Sequence, residues 1–227
     1  YNVGLDFGIL NQRLTGSVDV YYRETTDLLN YAPTVAMSAF RNQAWQNIGS
    51  LENKGVELTL DWKAIQTKDW FWTLSYNVTY NQNEITDLSG VSTDGEPVAN
   101  TGIKIGTDKY LQYNQVGQPV NSFYVYQQVY DQNGKAIENC VVDRNGDGQI
   151  TEGDRYFYNS PAAPVTMGLT SRLEYKNWDF GFSLRASFDN YVFNNIESGY
   201  ANLNKNEIWA STQFLSNRPT WTIADNW

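Results

Sequence analysis

Six stretches of this chain alternate apolar with polar residues at a period of two, and none runs much beyond about 11 residues. The first three read Val3, Leu5, Phe7 and Ile9 against Asn2, Gly4, Asp6 and Gly8; Leu14, Gly16, Val18, Val20 and Tyr22 against Thr15, Ser17, Asp19, Tyr21 and Arg23; and Val56, Leu58, Leu60 and Trp62 against Glu57, Thr59 and Asp61. The next is Trp72, Leu74, Tyr76, Val78 and Tyr80 against Thr73, Ser75, Asn77, Thr79 and Asn81. The last two are Met167, Leu169, Leu173 and Tyr175 against Gly168, Thr170, Arg172 and Glu174, and Trp178, Phe180, Phe182, Leu184, Ala186 and Phe188 against Asp179, Gly181, Ser183, Arg185, Ser187 and Asp189. Successive side chains of a strand point to opposite faces, so each stretch predicts a β-strand with one apolar and one polar face. The length suits a tilted strand crossing a bilayer, though a soluble sandwich would show the same alternation.

Two further features favour the bilayer. The links between stretches run short, long, short, long, short, at 10–13, 24–55, 63–69, 82–165 and 176–177. Tight turns on one side and long loops on the other are the habit of outer-membrane barrels. Aromatic rings also gather at the short turns: Trp62, Trp70, Trp72, Tyr175 and Trp178 all lie at strand ends. Amphipathic rings at strand ends fit a membrane interface, where the ring body is buried and its polar atom stays wet. The expected fold is all-β, an antiparallel transmembrane barrel segment of about six spanning strands with long extracellular loops. Parity then constrains the run 123–130, Phe-Tyr-Val-Tyr-Gln-Gln-Val-Tyr. One extra span cannot fit between a rising and a descending strand, so this run should belong to the large loop 82–165 and not to the wall. Six strands cannot close a useful barrel, so either further strands pair with its edges or the chain is not a membrane protein.

Composition removes other classes. With 16 Lys+Arg against 25 Asp+Glu, a net charge of −9 and no basic block, nothing would neutralise a phosphate backbone, which argues against nucleic acid. The absence of His leaves no imidazole acid–base or His-ligated zinc chemistry, and an enzyme would have only carboxylates. The lone Cys140 offers no disulfide partner and reads as a bystander. No window approaches the apolar length of a membrane helix. The chain opens inside an alternating pattern, with no signal peptide, so Tyr1 is not expected to be a native N-terminus.

One compact chemical motif stands out. From Asp143 to Asp154 the chain reads Asp-Arg-Asn-Gly-Asp-Gly-Gln-Ile-Thr-Glu-Gly-Asp, which fits the twelve-residue calcium-loop template. Asp143, Asn145 and Asp147 occupy positions 1, 3 and 5, Gly148 sits where a sharp turn is required, Gln149 offers its carbonyl, Ile150 should pack inward, and Asp154 takes the last position. The expected ion is Ca²⁺ in a structural role, with Mg²⁺ as the alternative because Asp154 is shorter than the usual Glu. The bland reading is a pair of Asn-Gly and Asp-Gly turns. Weaker signals are a glycosylation sequon at Asn77, discounted because it lies in a strand, a short helix over 197–204, and loop aromatics able to stack on sugars at Tyr31, Phe40, Trp45, Tyr110, Tyr113, Trp209 and Trp221.

The run Asn47-Ile48-Gly49-Ser50-Leu51-Glu52-Asn53-Lys54-Gly55-Val56-Glu57-Leu58 resembles the signature that opens a late barrel strand in the SusC/RagA-type TonB-dependent outer-membrane transporters. Further pieces follow in that family's order: the Asn-rich strand end 77–85, Gly117-Gln118-Pro119, the acidic glycine loop, Asp154-Arg155, Pro161 with Pro164 and Gly168, Tyr175-Lys176-Asn177-Trp178-Asp179, and Arg218-Pro219-Thr220-Trp221. The sequence departs from the pattern at 156–159, where a glycine is common, and at Val165, where a basic residue is usual. The resemblance implies that 1–227 is part of the C-terminal domain of a 22-stranded barrel, without its plug domain. It also implies active import, commonly of an oligosaccharide and sometimes of a peptide, across the bacterial outer membrane. The implied partners are a SusD-like surface lipoprotein, TonB through the plug, and the lipid itself. The acidic loop would then stiffen the 82–165 loop. A secreted, calcium-stabilised, carbohydrate-binding β-sandwich is the alternative. It leaves the order of link lengths and the one-sided aromatic clusters unexplained. A glycosidase is disfavoured because nothing keeps one carboxyl of a pair protonated.

Overall fold

The computed structural model describes residues 1–33, 43–92, 95–100, 102–106 and 109–195. Among these the first strands are β1 (Asn2–Ile9), β2 (Leu14–Thr25), β3 (Leu29–Pro33), β4 (Gln43–Asn47), β5 (Ser50–Gln66) and β6 (Trp70–Asp87). Short strands follow: β7 (Val98–Ala99), β8 (Lys104–Gly106), β9 (Lys109–Tyr110), β10 (Gln112–Asn114), β11 (Ser122–Tyr126), β12 (Gln128–Tyr130), β13 (Ala136–Val141) and β14 (Arg155–Phe157). The last two are β15 (Val165–Tyr175) and β16 (Trp178–Phe188). The chain divides into two units, 1–191 and 192–227, and the strands among the described residues lie in the first.

β1, β2, β5, β6, β15 and β16 form one six-stranded sheet in that order, each antiparallel to its neighbours. These are the six alternating stretches, and β6 pairs directly with β15 across the long insertion. The run 123–130 is split between β11 and β12, which belong to other sheets, so it takes no place in the wall. β5 and β6 reach 17 and 18 residues, well past the alternating stretches, so the long links begin later than the pattern suggested. Their outer ends are largely half-buried, with Ile85 buried, and keep pairing through polar side chains. Lys54 binds Glu52 at 2.9 Å, Tyr22 donates to Glu52 at 3.1 Å, and Asn83 donates to Asn53 at 3.0 Å.

The register aligns one apolar face across the sheet. Row by row it carries Val3, Val20, Val56, Tyr80, Val165 and Phe188; Leu5, Val18, Leu58, Val78, Met167 and Ala186; Phe7, Gly16, Leu60, Tyr76, Leu169 and Leu184; then Leu14, Trp62, Leu74, Ser171 and Phe182. The polar exception, Ser171, is buried and accepts from Trp72 Nε1 at 3.0 Å. Beyond Val20, Val56 and Tyr80 the next rows on the same face are Tyr22, Lys54 and Gln82, then Glu24 and Glu52, which ends the belt abruptly. At the other end Trp70 packs on Tyr175, ring centroids 4.2 Å apart, beside Trp178. From Val165 to Tyr175 is ten steps, roughly 33 Å along the strand, or about 25 Å of membrane normal at a tilt near 40°.

Among the described residues no second layer covers the belt. Val3, Leu5, Phe180 and Leu184 are 60 % exposed or more, and the buried apolar side chains among the described residues are Ile85, Leu88, Leu111 and Phe123, none of them in these rows. A sandwich would bury this face against a second sheet, and an apolar area of this extent on a water-soluble monomer would drive association. Lipid is the solvent it suits.

Close approach makes Gly55 obligatory. The Tyr21 ring lies across it to donate to Asn81 Oδ1 at 2.8 Å, and a Cβ at Gly55 would stand 2.5 Å from the phenol oxygen and 2.6 Å from Cζ. Gly55→Val should therefore destabilise the intact protein in detergent by about 1–3 kcal/mol, measured as a drop in the thermal midpoint. Adding Tyr21→Ala should recover part of the loss; an unchanged midpoint in the single variant would contradict this packing.

Candidate functional site

The opposite face of the sheet is polar throughout. Asp19 stands directly opposite Glu57, and Asp61 accepts from Ser75 at 2.5 Å. Like charges facing each other across a ladder repel, and in a sheet of this kind they are tolerable only where water keeps the dielectric high. Near the turns Arg172 bridges Asp179 at 2.8 Å and Glu174 at 3.1 Å. A cleft of about 1030 Å³ opens on the sheet near its β1 edge, with Asp19, Tyr21, Arg23, Asn53, Glu57 and Asn81 in its lining. These amides, carboxylates and hydroxyls can be exchanged one hydrogen bond at a time, which suits a surface that must hold a body and release it.

Above the belt, the insertion between β6 and β15 builds its own small body. β14, β11, β10 and β7 form a four-stranded sheet, with β12 paired to β13 and β8 to β9. It is joined to β6 by backbone bonds from Ile85 to Gln118 at 3.0 Å and from Gly117 to Ile85 at 2.9 Å, and by Val120 donating to Asn83 Oδ1 at 3.0 Å. At its centre lies Arg155, 5 % exposed. The guanidinium donates to the carbonyls of Tyr110 at 2.7 Å and Tyr124 at 2.5 Å, meets Glu152 at 2.8 Å, and sits 4.8 and 4.4 Å from the Tyr113 and Tyr124 ring centroids. Burial alone would raise the Glu152 pKa, but hydrogen bonds from Lys109 and Arg155 outweigh it and hold the carboxyl below its usual range. Sequence reasoning quoted Arg155 only in the Asp154-Arg155 pair and gave it no role. Apart from Glu152, three residues before it, its partners lie 31 to 45 residues earlier, and no local pattern joins them.

Five residues were read as metal ligands, and the structure places all five in one loop. Asp143 accepts from Gly146 and Gly148 at 2.7 and 2.8 Å, Asn145 from Asp147 at 2.9 Å, and Asp147 from Gln149 at 2.8 Å. Gly148, at φ +80°, makes the sharp turn expected of it. Asp154 is fully buried and accepts from Thr151 at 2.7 Å, Arg144 at 2.8 Å and Asn145 at 3.3 Å, and the Thr151 amide leads in lowering its pKa. The oxygens thus satisfy the loop's own amides. Among the described residues no three acidic, His or Cys groups gather around one point, so the donor chemistry suits a hard cation but the present arrangement does not converge on one. Ile150 does not pack inward; it is 51 % exposed, because a 3-10 turn at Glu152–Asp154 follows the loop and offers no helix for it to cover.

Of the loop aromatics, Tyr110 and Tyr113 serve Arg155, and Trp45 stands 67 % exposed on β4 opposite Tyr31. Phe40, Trp209, Trp221 and the helix read over 197–204 lie outside the described residues. Cys140 is free and exposed.

Comparison with known proteins bears on the whole assembly. Residues 1–139 match the family model for the TonB dependent receptor-like β-barrel. The chain is 51 % identical over 216 residues to the TonB-dependent receptor SusC of Bacteroides thetaiotaomicron, covering 94 % of this chain and 21 % of that protein. It is 30 % identical to TonB-dependent receptor P3 of Formosa agariphila, covering 96 % of this chain and 23 % of the relative. The fold superposes on the solved RagAB peptide transporter with a TM-score of 0.67 at 26 % identity, over 88 % of this chain and 22 % of that one. The chain thus spans about a fifth of the length of the relatives it matches.

Arg155→Lys keeps the charge but loses the planar fork that reaches two carbonyls and Glu152 together. The insertion should lose about 2–3 kcal/mol of local stability, seen as faster amide exchange in β10, β11 and β14 with no change in the six-stranded sheet. Equal acceleration in both would show that the insertion is not a separate stability unit.

Proposed function

The chain belongs to the TonB-dependent receptor family, of the SusC/RagA type in the bacterial outer membrane, and on that premise we propose that it forms wall and outer loops of an active importer of oligosaccharides. The observation that carries this reading is the uncovered apolar belt, in register across six strands, backed by a wetted polar face. The belt sits in lipid and the polar face lines the lumen. There it holds a plug through replaceable hydrogen bonds until TonB, driven by the proton-motive force, pulls the plug aside. The insertion between β6 and β15 stands on the extracellular side, where a SusD-like lipoprotein would meet it. The 51 % identity to SusC supports the SusC-type reading, from which the sequence resemblance draws its oligosaccharide expectation. Peptide cargo is the second reading, favoured by the likeness to the RagAB peptide transporter.

The test is uptake of a fluorescent oligosaccharide and a fluorescent peptide of matched size by cells with and without the gene encoding this chain, and with TonB inactivated. Oligosaccharide entry that needs both genes is the expected outcome. Entry of the peptide alone would give the cargo to the second reading, and entry without TonB would end the active-import reading.

We also assign Ca²⁺ to the 143–154 loop as a structural ion. Asp143, Asn145, Asp147, the Gln149 carbonyl and Asp154 are all oxygen donors, which Ca²⁺ prefers, with Mg²⁺ the competing ion. Binding would turn the remaining lone pairs of Asp143 and Asp147 toward a common point and stiffen the extracellular insertion. Calorimetric titration of the purified transporter should show Ca²⁺ uptake that Asp143→Ala removes; no uptake by the wild type would leave a loop closed by its own hydrogen bonds.

A further inference from the structure

A second cleft, of about 310 Å³, lies where β6 outruns β15, one row above the apolar belt. Its floor is β6 from Tyr80 to Asn83, and its walls come from Gln118 and Pro119, from the segment 158–164, and from Asp189. The free edge of β6 is already taken here, since Asn81 donates to the Pro164 carbonyl at 2.8 Å and Ile85 to that of Gln118 at 3.0 Å. An extended peptide, which docks by adding a strand to an open edge, therefore finds none.

The lining has a distinctive chemistry. Gln82, Gln118 and Asn159 present side-chain amides with no hydrogen-bond partner among the described residues. Each amide offers a donor and an acceptor in one plane, the pairing that adjacent hydroxyls require. Tyr158, half exposed, meets Tyr156 and Tyr191 at interplanar angles of 74° and 78°, which fixes its plane at the cleft. Pro119, Ala162, Ala163 and Pro164 add apolar surface. Asp189 is the only carboxylate in the lining, and no Lys or Arg is present. A ring that is apolar on one face, rich in hydroxyls at its edge and uncharged meets all of these conditions; an anionic ligand meets Asp189 with no cation to offset it.

We propose that this cleft is a saccharide subsite for a neutral sugar unit, supplied by the oligosaccharide cargo as it passes the outer mouth of the barrel. This rests on the importer reading for its source but not for its chemistry. A lipopolysaccharide sugar at the membrane boundary would offer the same groups, so the test separates the two.

The experiment uses the full-length transporter in detergent, stripped of lipopolysaccharide and titrated with a neutral glucan hexasaccharide, an oligogalacturonate and a hexapeptide. The variants are Gln118→Leu with Asn159→Leu, and separately Tyr158→Ala, each checked for an unchanged thermal midpoint. The expected result is neutral glucan binding weakened about tenfold in either variant, with weaker binding of the uronate by the wild type. Unchanged glucan affinity in both variants together with unchanged co-purifying lipopolysaccharide, or a wild type that prefers the uronate, would overturn the subsite. If the variants instead lose co-purifying lipopolysaccharide from unstripped preparations while free glucan binding stays the same, the sugar chemistry stands and the cargo source falls. Failure of the importer reading shows up separately, as absent uptake by cells whose transporter still binds glucan in this cleft.

Discussion

Every other feature depends on hydrogen-bond closure in a solvent that offers none. Within lipid a backbone amide must find its partner inside the sheet, so the six strands pair in chain order with unbroken ladders through the belt. Register follows from the same constraint. A slip of one residue would turn Leu58, Leu60 and Trp62 toward water and Glu57, Thr59 and Asp61 into lipid, which ties the pairing to the pattern of side chains. The irregularities of β5 fall outside the belt, near Ser50 and between Lys63 and Ile65, where water or the interface can satisfy a stray amide.

The same physics decides what could be read beforehand. Where one face meets lipid and the other water, alternation is strong, and all six wall strands were legible from it. Past Val56 and Tyr80 the apolar row gives way to Lys54 with Gln82 and Glu52 with Glu84, the contrast between faces vanishes, and the outer ends of the hairpin were taken for loop although their ladder continues to Ser50 and Asp87. Parity succeeded for 123–130 because it is an argument about topology and needs no propensity. The short strands of the insertion, two to six residues each, lie below the length at which a period shows.

The acidic glycine loop was legible as a turn and only partly as a site. Its spacing predicted which side chains would share the loop and where Gly148 must bend. It could not show that Asp143 and Asp154 would be engaged by backbone amides, nor that Ile150 would face water. The role of Arg155 went unread for a related reason, since main-chain carbonyls distant in sequence, those of Tyr110 and Tyr124, leave no trace in residue identity. The buried apolar Leu111 stands between Tyr110 and Gln112 and gives no more warning.

The insertion leaves β6 at Asp87 and comes back to the edge of the same strand, where Asn81 donates to the Pro164 carbonyl at 2.8 Å. With both ends anchored on one strand, no length is imposed on what is strung between them. The segment between β6 and β15 can be lengthened, shortened or replaced over generations while the neighbouring strands keep their register, so related chains can diversify it and inherit the wall unchanged.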